Sequence, residues 1–425
     1  MKTFFSEHEM LKEPFQGSAS RFVFGKGIDT SINPFLPKKT AKHVFREYNN
    51  LYHLYPELEF ESLDFVYNQD SVNASKFPVV LLTEWMKYVK PKGYLVLKFT
   101  ENKHLDKKEL DRIFKQFLSR YSKVVLESKT GDEWSVVFQK TKSLLVKGDS
   151  VDKWTFGVPT IGKRIDWLRA FITSIREQKI PHYEIIIVGT WNDPELMGPD
   201  IKYIHFTEKD DKVWVTRKKN IVYENAKYEN VFVLHDRFKL DKGWFKGMKR
   251  YGNVWDALFF PIIDKNGEEY VHWGVWGKGI ERIGYLDIRD WREDYFVGGA
   301  FAAMKKRVWE KAKHNEERFW AEQEDAEQQL RVTQAGYVIR ATPYSKTHTF
   351  IAFPKDAPRY SFDDQKLGRA FEPRGAHWIA PQIMIDVATR VIGLPYLRWR
   401  RKISLAIRNR VKRKGYNLIA GTQRD

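Results

Sequence analysis

The sequence predicts a mixed α/β chain of two domains, joined by a polar linker and followed by a basic helical tail. Three observations carry that prediction. Apolar runs of strand length alternate with stretches of helical spacing, the pattern of helices laid on a largely parallel sheet. The alternation breaks at 143–152, a polar stretch holding Gly148, and begins again at Trp154. Past Pro381, Ile403, Leu405, Ala406, Ile407 and Val411 interleave with Arg398, Arg400, Arg401, Lys402, Arg408, Arg410, Lys412, Arg413 and Lys414. The 425 residues therefore divide into 1–142, a linker at 143–152, a second domain at 153–380 and a tail at 381–425. A single core stops growing well before that length.

Composition narrows the function classes. Hydrophobic content of 42% and aromatic content of 15% exclude wholesale disorder. With Cys 0, disulfides, thiolate catalysis and cysteine-ligated zinc are excluded, and a reducing compartment fits. No stretch approaches the roughly 20 apolar residues that span a bilayer. Met1-Lys2-Thr3-Phe4-Phe5 is followed at once by Ser6-Glu7-His8-Glu9, so no secretory leader is expected. The reading is a cytoplasmic protein, soluble or peripheral on the inner face of the membrane. About half of the formal charge of +18 belongs to the tail, so the basic balance says little about the rest.

In the first domain, Ser62-Leu63-Asp64-Phe65-Val66-Tyr67 reads as a strand and 79–89 as a helix. Lys90-Pro91-Lys92-Gly93 reads as a turn, Tyr94-Leu95-Val96-Leu97 as a buried strand, and 107–121 as an amphipathic helix. Val124-Val125-Leu126-Glu127 and Trp134-Ser135-Val136-Val137-Phe138 flank Thr130-Gly131-Asp132, a hairpin signal. This order resembles the second half of a class I, AdoMet-dependent methyltransferase, which implies a Rossmann-like sheet. Gly27-Ile28-Asp29-Thr30-Ser31-Ile32-Asn33-Pro34 stands where that family has its first strand and glycine-rich loop. Thr30, Ser31 and Ile32 occupy the place of the glycines that let backbone approach the cofactor. Asn68-Gln69-Asp70-Ser71 also lacks the family's usual His-Glu. The resemblance therefore implies a degenerate domain, with AdoMet not expected.

In the second domain, 154–158 reads as a strand ending in Pro159-Thr160, and 165–178 as a helix with Leu168, Phe171, Ile172 and Ile175 on one face. Strands at 184–189 and 201–206, a helix at 215–225 and a strand at 231–234 follow. That last strand stops on His235-Asp236-Arg237, which puts an acid at the rim of the sheet, where ligands sit in open α/β folds. Phe296-Val297-Gly298-Gly299-Ala300-Phe301 precedes a helix bearing Arg307-Val308-Trp309, and Glu324-Asp325 lies on a further helical segment.

Over roughly 154–350 this order resembles a family 2-like glycosyltransferase with a GT-A (nucleotide-diphospho-sugar transferase) fold. The resemblance implies an inverting, hexosyltransferase-type enzyme moving sugar from a nucleotide-sugar donor to a glycan or glycoconjugate acceptor, as in surface polysaccharide biosynthesis. Such an enzyme must hold a diphosphate as it leaves and take a proton from an acceptor hydroxyl. Asp325 matches the family's catalytic base and Glu324 its neighbour. The resemblance also implies that Pro159 and Thr160 border the nucleotide. Lys218 and Asn220, in Trp214-Val215-Thr216-Arg217-Lys218-Lys219-Asn220, match the helix start beside the diphosphate, whereas Arg217 and Lys219 read equally as a solvated basic face.

His235, Asp236 and Arg237 occupy the family's Asp-x-Asp position, with Arg237 where a metal-binding acid usually stands. Two readings stay open. Asp236, helped by His348, holds Mn²⁺ or Mg²⁺, or Arg237 supplies the positive charge itself. Gly298 and Gly299 would line the acceptor side, and Trp273 and Trp276 could stack on sugar rings or pack in a loop. The basic tail, through 398–414, suits an anionic membrane surface and a lipid-linked acceptor; nucleic acid is not favoured, since no recognised module accompanies it. Two other classes compete: a methyltransferase with an accessory sugar-binding domain, and a non-enzymatic basic scaffold for membrane or nucleic acid.

Overall fold

The structure is a computed structural model that describes residues 27–30, 51–56, 58–190, 195, 197–210, 213–270, 273–276, 283–286, 288–293, 295–297, 302–320, 324–352 and 359–360. By its internal contacts the chain divides into Met1–Leu367 and Gly368–Asp425. The second unit, and with it the basic tail, lies outside the described residues. The first is a mixed α/β body with several sheets. Among the described residues no helix is long and apolar enough to cross a membrane.

Strands β1 (Gly27–Asp29), β2 (Leu63–Gln69), β3 (Val89–Thr100), β4 (Ser122–Thr130) and β5 (Glu133–Lys140) form one sheet in the order β1-β2-β3-β5-β4. The first three run parallel, and β4 and β5 make the expected hairpin about Gly131-Asp132. Helices α1 (Ser71–Ala74) and α2 (Pro78–Tyr88) connect β2 to β3. The Lys90-Pro91-Lys92-Gly93 turn expected from sequence is instead a bulge inside β3, where the register jumps from Leu63↔Val89 to Phe65↔Tyr94. Lys92 takes φ 71°, and Gly93 passes so close to β2 that a Cβ there would lie 2.5 Å from the Asp64 carbonyl.

The helix expected over 107–121 is also shorter. Asp106 caps α3 (Lys107–Ile113) by accepting the Glu109 N–H at 2.7 Å, but a π turn over Phe114–Leu118 follows. The cause is local. The Ser119 hydroxyl donates to the Lys115 carbonyl (2.7 Å), so the Ser119 N–H reaches one residue further back, to Phe114 (2.8 Å).

The second half begins with β6 (Lys153–Thr160), α4 (Ile165–Arg176), β7 (His182–Gly189), β8 (Ile201–His205), α5 (Val215–Asn225) and β9 (Asn230–Val233). These match the expected elements closely, and the four strands are parallel. Beyond them come β10 (Phe238–Leu240), α6 (Trp244–Tyr251), β11 (Ala257–Phe259), β12 (Ile262–Ile263), β13 (Glu269–Tyr270), β14 (Trp273–Trp276), β15 (Ile283–Leu286) and β16 (Tyr295–Val297). The described chain closes with β17 (Ala302–Lys305), α7 (Lys306–Lys311), α8 (Glu324–Gln334), β18 (Ile339–Ala341), β19 (Thr347–Thr349) and β20 (Arg359–Tyr360). The main sheet has the order β18-β11-β17-β9-β6-β7-β8, and β17 runs antiparallel to both its neighbours. Two small sheets, β10-β19-β12-β13 and β16-β14-β15-β20, complete the body. Trp154, Phe232, Trp244 and Phe260 pack ring on ring in the core, with Trp154 and Trp244 edge to face at 4.9 Å.

A buried ion cluster ties the two main sheets together. Glu84 of α2 is fully buried and meets His53 Nδ1 at 2.9 Å, Arg340 of β18 at 2.8 Å, and Lys87. Arg340 also donates to the Tyr52 carbonyl at 2.7 Å. Although burial opposes the charge, Lys87, His53 and Arg340 hold the Glu84 carboxyl well below the usual carboxylate range. Arg120–Asp256 (3.2 Å) and Gln116 to the Thr333 carbonyl (3.0 Å) add two further ties. Because a buried charge stripped of one partner is costly, Arg340→Met is expected to lower the unfolding free energy by about 3 kcal/mol. Adding Glu84→Met should recover most of that loss, which urea denaturation of the single and double variants measures.

Candidate functional site

The register of β6 against β9 builds the rim of the main sheet. Trp154 lies beside Asn230 and Gly157 beside Val233. The Leu234 N–H then bonds the Gly157 carbonyl at 2.9 Å, carrying the pairing past the strand's end. Thr160 and Asp236 follow at the same offset, and the Thr160 hydroxyl donates to Asp236 Oδ2 at 3.0 Å. Arg164, on the turn after β6, stands 3.6 Å from the other carboxylate oxygen. Burial pushes the Asp236 carboxyl up, against the pull of Thr160, Arg164 and Arg237. Pro159 is buried within β6.

His235 and Arg237 flank that acid. Burial, then Lys219, Arg237 and Arg164, hold the His235 imidazole well below its ordinary value, so it is neutral at pH 7. Its Nε2 is buried without a hydrogen-bond partner among the described residues, as is Arg237 Nε. Burial and the neighbouring Arg164 lower the Arg237 guanidinium, while Asp236, Tyr270 and Asp325 pull the other way. Arg237 thus lies within electrostatic reach of both acids singled out in the sequence.

Helix α5 approaches β6 closely because position 157 is glycine: a Cβ there would lie 2.3 Å from Val222 Cγ1. Buried Lys218 donates to the Thr160 carbonyl at 3.1 Å and pairs with Asp210, so it fastens the rim rather than reaching out from it. Asn220, expected beside a diphosphate, has both ends of its amide bonded within the chain. Trp309 Nε1 and the His314 N–H donate to its Oδ1 at 2.9 and 3.1 Å. Its Nδ2 donates to the His314 carbonyl and Glu316 at 2.9 and 2.8 Å. Both ends of the amide therefore serve the 309–316 segment.

Lys219, which with Arg217 reads from sequence equally as a solvated face, is placed inside the structure. It is 2% exposed and pairs with Asp325 Oδ1 at 3.1 Å. The signal was present in the helical period, since Val215, Lys219 and Val222 share one face. Arg164, two residues past a glycine turn, carried no comparable pattern and was missed.

Asp325 and buried Glu324 open α8, as expected for an acidic pair at a helix start. Gln329 of the same helix donates to the Val297 carbonyl and accepts its N–H, both at 2.6 Å, which clamps α8 to β16. A cavity of about 30 Å³, lined in part by Lys219, His314, Asp325 and Gln328, has room for a water or two. Trp273 and Trp276 lie on β14, which pairs with β16. Gly298 and Gly299 lie outside the described residues. His348 turns its Nε2 to Asp241 at 2.7 Å, so that nitrogen is committed away from Asp236. Among the described residues no group of three or more His, Asp or Glu is placed to hold a metal ion.

Several solved structures are similar to part of this chain. The crystal structure of S. aureus TarS matches 47% of it and 37% of that chain, at 12% identity and TM-score 0.36. GalNAc-T7 with UDP, GalNAc and Mn²⁺ matches 48% and 45%, at 13% identity and TM-score 0.38. S. aureus TarS 1-349 in complex with UDP-GlcNAc matches 47% and 60%, at 14% identity and TM-score 0.34. The chain thus spans from 37% to 60% of the solved chains it resembles. No protein-family profile matches the sequence, and no curated protein does.

The histidines generate a pH prediction. His53, His235 and His314 all sit below the ordinary 6.5, with burial the largest cause in each. The unfolded chain therefore binds these protons first as pH falls, so stability is full above about 6.5 and declines below it. The proton uptake on unfolding should rise from below about one at pH 7 toward about two to three at pH 5.5, and His314→Asn should remove about one at the acid end. Urea titrations across that range read the slope.

Proposed function

We propose that the protein is an inverting glycosyltransferase that moves a sugar from a nucleotide-sugar donor to a glycan or glycoconjugate acceptor. The observation that carries the reading is the convergence at the ends of the parallel strands β6 and β9: Thr160 and Asp236 joined, Arg164 and Arg237 beside them, and Asp325 within the field of Arg237. Cations at a strand-end rim suit a diphosphate, and a carboxylate held nearby suits proton removal. In the reaction the Asp325 carboxylate takes the acceptor hydroxyl proton. That oxygen bonds the anomeric carbon from the face opposite the leaving group, the carbon–oxygen bond to the diphosphate breaks, and the configuration inverts. Lys219, ion-paired with Asp325, positions the base.

The same reading assigns the donor to the GT-A-like second half and makes the first half a methyltransferase-like sheet that no longer methylates. The polar groups at the ends of β1 and β2 support this, because they bond one another: Asn68 Nδ2 donates to Thr30 Oγ1 at 2.9 Å, and Ser71 Oγ to the Thr30 carbonyl at 2.8 Å. A hexose donor, a surface-polysaccharide or lipid-linked acceptor and a cytoplasmic, membrane-peripheral location held by the 381–425 tail complete the proposal.

The test is a screen of nucleotide-sugars for hydrolysis and transfer by the wild-type chain and Asp325→Asn. Loss of the base is expected to lower turnover by about 10²–10⁴-fold while donor binding by calorimetry persists. A chain that neither binds nor turns over any nucleotide-sugar refutes the proposal.

A further inference from the structure

We infer that Arg164 and Arg237, rather than a divalent cation, neutralise the diphosphate as it leaves; the inference rests on the donor-binding reading above. Mg²⁺ and Mn²⁺ sites gather oxygen ligands, with one or two carboxylates supplementing substrate phosphates. At this rim Asp236 is the carboxylate at the strand end. One of its oxygens accepts the Thr160 hydroxyl, and the other faces the Arg164 guanidinium at 3.6 Å. The next residue is Arg237, and His348 is bound to Asp241. These residues do not fit a dication.

They do fit an anion. Lys218 is balanced by Asp210 and Lys219 by Asp325, whereas Arg164 and Arg237 share Asp236. A dication would add positive charge to that surplus, and a diphosphate would cancel it. The two guanidiniums are also built in. Arg164 lies 4.7 Å over the Trp167 ring, which stacks on Phe350 at 5.4 Å. The Phe350 N–H in turn bonds the Arg237 carbonyl at 3.1 Å. Half-buried Arg237 keeps an Nε donor without a partner among the described residues. Guanidinium forks take phosphate oxygens in pairs. As the anomeric carbon–oxygen bond breaks, its electron pair passes to the diphosphate oxygen, and these N–H groups would face the developing charge.

The experiment is calorimetry of the full chain with UDP, GDP, CDP, ADP and dTDP, in excess EDTA and then in Mn²⁺. The diphosphate that binds is expected to do so with dissociation constants within about twofold in the two conditions, and Arg237→Gln to weaken it about 10-fold or more while the matching nucleoside is unchanged. Arg164→Gln, at a 49% exposed side chain, supplies a second variant that does not threaten the fold. Binding that appears only with Mn²⁺, or that survives both substitutions, overturns the inference and leaves the glycosyltransferase reading standing. Binding of none of the five in either condition overturns both.

Discussion

The parallel pairing of β6 with β9 is the constraint on which the candidate site depends. Thr160 meets Asp236 because the strands hold their register to the last residue and the following turn stays in line. A slip of one position would carry every side chain of the strand to the opposite face. Helix α5 is fixed to the same strand through the bare backbone of Gly157, and its lysines are thereby delivered to the rim. Thr160 is consequently held twice, by its carbonyl to Lys218 and by its hydroxyl to Asp236.

Charge at the rim is divided into paired and shared portions. Lys218 with Asp210 and Lys219 with Asp325 are close pairs in which each buried lysine charge is met by a carboxylate. Asp236 instead stands between two guanidiniums and a neutral imidazole. The first kind of arrangement builds the walls of a site. The second leaves a field for something else to satisfy.

Much of this was legible in the sequence, and the illegible parts share a cause. The strand and helix order of the second half follows from apolar periodicity, and β6 through β9 emerged with boundaries near those expected. The His235-Asp236 step stood out because a polar pair ends a fully apolar run. Residue roles were harder, since periodicity reports which face a residue occupies but not its partner. Asn220 shares a turn with Lys218 yet serves the 309–316 segment, far along the chain. Lys90-Pro91-Lys92-Gly93 has turn composition, but pairing on both sides draws it into β3. The π turn after α3 hinges on one serine hydroxyl taking a carbonyl, a competition no pattern records.

The cluster of Glu84, His53 and Arg340 has a consequence for how the chain can be handled. The polar stretch at 143–152 looks like the place to separate the halves, yet the acid and the base of this cluster come from opposite sides of it. Severing there would leave the Arg340 guanidinium on an edge strand without its carboxylate, while Glu84, still beside His53 and Lys87, would lose one of its three cationic or donor partners. The second half borrows part of its interior from the half that precedes it.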